Sequence, residues 1–137
     1  MRKALITLAT AVAVAGSVVA VGGPAEAASS PIAACGGGSY HVIDTHDLSG
    51  YATIYLMYNG STDCVVTWRT KDVGTARWTT AYVQKQGGDQ IANNGYFQYY
   101  AGPVKVSAAG VCIKWGGTVN EGNGHVAVWN SDWSHCG

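Results

Sequence analysis

The chain has 137 residues, with eight basic and eight acidic side chains and four cysteines. The balanced charge, with no basic run, argues against nucleic acid or an anionic membrane surface as a partner. The length suits one domain with a modest core.

Residues 1–27 have the layout of a secretory signal peptide. Arg2 and Lys3 open it, an uncharged Ala-, Val- and Leu-rich run follows from Ala4 to Val21, and Ala25-Glu26-Ala27 forms a small-residue cleavage site. The run has no positive stop-transfer flank, which favours export over a membrane anchor. Ile32–Cys35 resembles a lipobox, but Glu26, Ser29 and Ser30 separate Cys35 from the apolar run. Cleavage after Ala27 leaves residues 28–137, without Arg2, Lys3 and Glu26, hence six basic and seven acidic side chains. The expected product is extracellular, carries no cofactor and keeps no membrane segment. Residues 28–34 are expected to be a loose lead-in to a single β-domain over 35–137.

Cys35, Cys64, Cys112 and Cys136 form an even set in a small exported chain, which implies two disulfides. Three pairings are possible. Cys35–Cys64 with Cys112–Cys136 is favoured because each bond closes a shorter loop and pins one terminus. Loop entropy assigns about 3 to 4 kcal/mol to each. Zinc is the rival use of these cysteines, but no Cys-x-x-Cys pair is present.

"HVIDTHD" (41–47) places two histidines and two aspartates within seven residues. On a regular strand His41 points to one face while Asp44 and His46 share the other. Asp44 and His46 are therefore weak metal candidates, short of a third ligand that only His125 or His135 could bring. The plainer role is structural: Asp44 caps a turn or orients His46, and Asp47 opens the turn before Ser49-Gly50.

"YATIYLMY" (51–58) is rich in β-branched and aromatic residues, and Asn59-Gly60 followed by Ser61-Thr62-Asp63 reads as its loop. "CVVTWRTK" (64–71) returns with Cys64, Val66 and Trp68 on one face and Val65, Thr67 and Arg69 on the other. "TARWTTAYVQ" (75–84) alternates in the same way. Gly87-Gly88 reads as a turn, the next stretch is expected to open after Asn93-Asn94-Gly95, and Gly102-Pro103 is expected to divide it into two short strands. "VCIKWGGTV" (111–119) and "HVAVW" (125–129) complete the set. No segment carries apolar residues at helical spacing behind a cap. The fold class is therefore all-β: an antiparallel sandwich or barrel of about seven or eight short strands with two disulfides.

Catalytic signatures are weak. The chain has no Gly-x-Ser-x-Gly elbow, and its carboxylates mostly sit beside Gly, Ser or Thr in turn-like settings. "CGGGS" (35–39) lacks the lysine and helix of a phosphate loop. No catalytic residue is assigned. Trp68, Trp78 and Trp115 are expected in the core, whereas Trp129 and Trp133, flanking Asn130-Ser131-Asp132, are candidate binding residues.

"YHVIDTHDLSGYATIYLMYNGSTDCVVTWRT", "QYYAGPVKVSAAGVCIKWGG" and the closing "HCG" resemble the spore-associated protein A family of streptomycetes and related actinobacteria. The likeness spans about residues 35–137. It implies a small secreted protein found with spores or in the medium, and carries over no catalytic residue. "TWRTK" (67–71) is also similar to the Trp-Arg-Tyr tip of small streptomycete α-amylase inhibitors, with Thr70 in place of the tyrosine.

The reading is thus a secreted, non-enzymatic, disulfide-stabilised β-protein of the spore or cell surface, its partner either that surface or an extracellular protein. Two alternatives stand beside it: a hydrolase inhibitor acting through Trp68 and Arg69, and a carbohydrate-binding module. The exported form should contain two oxidised cysteine pairs. Intact mass before and after reduction and alkylation measures this, and free thiols in the native protein would refute it.

Overall fold

A computed structural model describes residues 28–137; the segment read as an export signal lies outside the described residues. A single turn of helix, α1 (Pro31–Ala34), precedes eight strands: β1 (His41–Leu48), β2 (Ala52–Tyr58), β3 (Thr62–Arg69), β4 (Arg77–Lys85), β5 (Ile91–Phe97), β6 (Tyr100–Ser107), β7 (Ile113–Asn120) and β8 (Val126–Asn130). They form two antiparallel four-stranded sheets, ordered β1-β2-β3-β6 and β5-β4-β7-β8. The fold is a sandwich rather than a closed barrel.

Strand alternation builds the core. Ile54, Leu56 and Val65 of the first sheet meet Ala81, Val83, Ile113, Trp115 and Val119 of the second. Buried Thr67 donates its hydroxyl to the Thr80 carbonyl at 2.7 Å, a polar link between the sheets that leaves no orphan group.

The opposite face of the first sheet is also covered. Cys64, Val66 and Met57 lie there with Cys35 in a second apolar cluster, joined by Ile32, Ala34, Tyr40 and Trp68. Disulfides join Cys35 to Cys64 and Cys112 to Cys136. Residues 28–34 are therefore docked rather than a loose lead-in. Ser30 caps α1 by accepting from the Ala33 N–H at 3.0 Å, and Ala28 N donates to the Tyr100 hydroxyl at 3.3 Å.

Two strand boundaries are corrected. Asn93-Asn94-Gly95 lies inside β5, and Gly102-Pro103 lies inside β6 at an irregularity opposite Val66, where the Val65/Thr67 register shifts. The extra backbone is absorbed on an edge strand, a position that tolerates proline. The break falls instead at Gln98-Tyr99, between the two strands.

Arg69 ends β3 on the inner face, only 2 % exposed. Its guanidinium donates to five backbone carbonyls, those of Lys71, Asp72, Thr75, Phe97 and Gln98. It thus ties the loop after β3 to the turn between β5 and β6. Burial, then the neighbouring Arg77, push its pKa down, while Asp72 opposes them. Arg69→Ala should cost about 3–5 kcal/mol by orphaning those carbonyls. Arg69→Lys should recover only part, because an ammonium cannot span the two loops as the planar fork does. Urea midpoints measure both, and an unchanged midpoint for the alanine variant would show that the carbonyls find other partners.

Candidate functional site

The "HVIDTHD" stretch is β1, an edge strand of the first sheet. Its register shifts between Val42 and Asp44, making Ile43 an extra residue. His41 stands opposite Tyr58, Asp44 opposite Leu56 and His46 opposite Ile54. Strict alternation fails at the bulge, so His41 comes to the same face as Asp44 and His46 instead of the opposite one. Its ring meets Tyr58 edge-on with centroids 6.5 Å apart.

That face looks across the sandwich to β8, an edge strand of the second sheet. The His46 ring stacks on Trp129 at 4.0 Å with 10° between planes, and Trp129 meets buried Trp115 edge-on at 4.8 Å. Trp129 thus serves the seam between the sheets and is not a surface platform. Asp44 Oδ2 lies 3.0 Å from His135 Nε2. His135 takes a left-handed backbone, φ +51°, which few non-glycine residues adopt. The Cys112–Cys136 bond on one side and the paired Ile113 and Ser134 backbones on the other hold it there. His125 sits apart in the β7–β8 turn, with its N–H on Asn123 Oδ1. Asp44 and His46 therefore find separate partners. Among the described residues no three His, Cys, Asp or Glu side chains converge as a metal site would need.

Beside this pair is a cavity of about 210 Å³ lined by Ile43, Tyr58, Asp63, Ala108, His135 and the glycines 110 and 137. Asp63, expected in the loop after Gly60, is the second residue of β3, facing inward opposite Tyr58 and only 4 % exposed. Burial raises its pKa to about 6, against the attraction of His135. A carboxyl so placed holds a proton in mild acid and releases it near neutrality. Nothing in the Ser-Thr-Asp tripeptide marks it; only counting alternation backward from Val65 reveals it.

The remaining candidates are scattered. Trp68 is half-buried, its ring stacked on Tyr100 at 5.1 Å, and Arg69 is turned inward; neither stands on a hairpin tip. Trp78 is not in the core: it is 38 % exposed on the outer face of the second sheet, edge-on to Tyr96 at 5.3 Å. Thr79, Ala81 and Val83 take the core positions, so the face of β4 that carries Trp78 is the outer one. Trp133 is exposed, with the Lys114 ammonium 4.8 Å above its ring.

These features define a class: small, two-sheet β-sandwiches stapled at both ends, with a histidine–aspartate–tryptophan seam closing one edge. The chain is 38% identical over 138 residues to spore-associated protein A of Streptomyces coelicolor, an alignment covering 93% of this chain and 84% of that protein. It belongs to the spore-associated protein A family. No family model matches the chain, and no solved structure matches it.

The raised Asp63 pKa has a definite sign. The folded state holds the proton more tightly than the unfolded chain, so stability falls as pH rises from about 3.8 to about 6 and levels off above. Asp63→Asn should remove this slope. The stability difference, variant minus wild type, should grow by on the order of 2–3 kcal/mol between pH 4 and 7. Parallel urea titrations test it, and a difference independent of pH would show that Asp63 is not held protonated.

Proposed function

We propose that this protein is exported, loses residues 1–27, and acts outside the cell as a non-enzymatic component of the spore or cell surface. The observation that carries this reading is the likeness, along nearly the whole chain, to a relative named for its association with spores. Two disulfides support an oxidising location. The residues best suited to chemistry serve the fold: Asp44 is held by His135, and His46 is spent on Trp129. An inhibitor acting through Trp68 and Arg69 gains no support, because Arg69 is committed to backbone carbonyls inside the molecule.

In the producing organism, antibody labelling and fractionation should find the chain in spore-surface washes and culture medium. Its N-terminus should be Ala28. Variants Asp44→Asn and His135→Ala should keep this distribution if they fold. A cytoplasmic chain that retains residues 1–27 would sink the proposal.

A further inference from the structure

The outer face of the β5-β4-β7-β8 sheet carries a shallow depression of about 450 Å³, larger than the Asp63 cavity. Its floor is built by register. Thr80 lies opposite Asn94 on one side and Thr118 on the other, and Thr118 lies opposite Val128. Gly116 stands opposite both Tyr82 and Asn130. A Cβ on Gly116 would fall 2.6 Å from Tyr82 Cε1 and 2.9 Å from Asn130 Oδ1. The glycine therefore lets an aromatic ring and an amide close over the middle of the face. Gln84 and Lys114 continue the surface toward exposed Trp133. At the other end stand Trp78 and Tyr96, the latter 74 % exposed. Trp78 to Gln84 is six steps along one strand, roughly 20 Å.

The lining has a consistent chemistry. Among the described residues that form it, there are side-chain amides, hydroxyls and one ammonium, but no carboxylate. Thr80, Asn94, Thr118 and Asn130 make no side-chain hydrogen bond within the described residues, so their donors and acceptors are open to a ligand. A polyanion would need more than one cation, and an apolar partner would leave these groups unpaired. A chain of hydroxyls with flat apolar ring faces satisfies both the amides and the aromatics.

We propose that this face binds an uncharged polysaccharide, laid along β4 across Tyr82, with Trp78 at one end of the face and Trp133 at the other. The proposal rests on the surface-associated role and names the partner class of that role: wall glycan rather than a protein. Hydroxyl, amide and ring-face recognition is common to several wall polymers, so the test includes more than one.

The oxidised, exported protein is sedimented with insoluble chitin, with cellulose and with wall material purified from spores of the producing organism. At least one should retain it. Asn94→Ala/Asn130→Ala and Tyr82→Ser should each weaken that retention by roughly tenfold or more, and Tyr82→Phe should keep most of it. Near-ultraviolet circular dichroism identifies folded variants. If Tyr82→Ser fails to fold, the double variant, which removes only exposed or outward side chains, decides the question. Retention unchanged in the double variant would overturn the site. No retention on any polymer, with the protein still on spores, would overturn the glycan inference while leaving the surface role standing. Loss of the protein from the surface fraction altogether would remove both.

Discussion

The Cys35–Cys64 bond decides which surfaces of this molecule meet water. Cys64 points away from the sandwich interior, on the face of β3 shared with Val66. By anchoring Cys35 there, the bond holds a four-residue helix that could not persist alone, because one turn cannot offset the cost of helix nucleation. Ile32 and Ala34 then cover Met57 and Val66. β3 becomes buried on both faces, and the first sheet acquires a second apolar layer from a segment of minimal length. Among the described residues the outer face of the second sheet receives no such cover, and there the exposed aromatics and the open amides and hydroxyls collect.

The other open margin of a sandwich is its edge. β1 and β8 are edge strands of different sheets, and unpaired strand edges invite pairing with other chains. Here Asp44 and His46 point inward from β1, and the bulge at Ile43 twists the strand. Inward polar groups and bulges both discourage edge-to-edge association. The same two side chains tie the edge shut through His135 and Trp129. The cluster that most resembles a catalytic or metal site thus works as edge protection and seam together.

Much of the strand layout is legible in the sequence, because β2, β3, β7 and β8 are runs rich in β-branched and aromatic residues bounded by turn residues. The failures share a cause: local signals that tertiary pairing overrides. Asn93-Asn94-Gly95 has turn chemistry, yet pairing with Thr79, Thr80 and Ala81 holds it extended. Gly102-Pro103 looks like a break, yet an edge bulge takes it up. One inserted residue at position 43 moved His41 to the other face, an event that carries no sequence mark. Of the site, Asp44, His46 and the possible role of His135 could be named in advance. Their separation into two partnerships could not, since it depends on where the Cys112–Cys136 staple sets the C-terminal tail.

What a polar side chain touches separates folding roles from functional ones more sharply than residue type does. Arg69 is a cation of the type most often used to grip a partner, yet it is consumed by five backbone carbonyls. His46 and His135 belong to the residue type most often chosen for catalysis, yet each has a partner that the fold requires. Thr80, Asn94, Thr118 and Asn130 are chemically bland by comparison. They nevertheless stand together, unbonded within the described residues, on a face that core packing leaves alone. Stability alone gives no reason to align such groups between aromatic ends, since an exposed sheet face tolerates almost any polar residue. Recognition of a ligand with many weak hydrogen-bonding groups does give one.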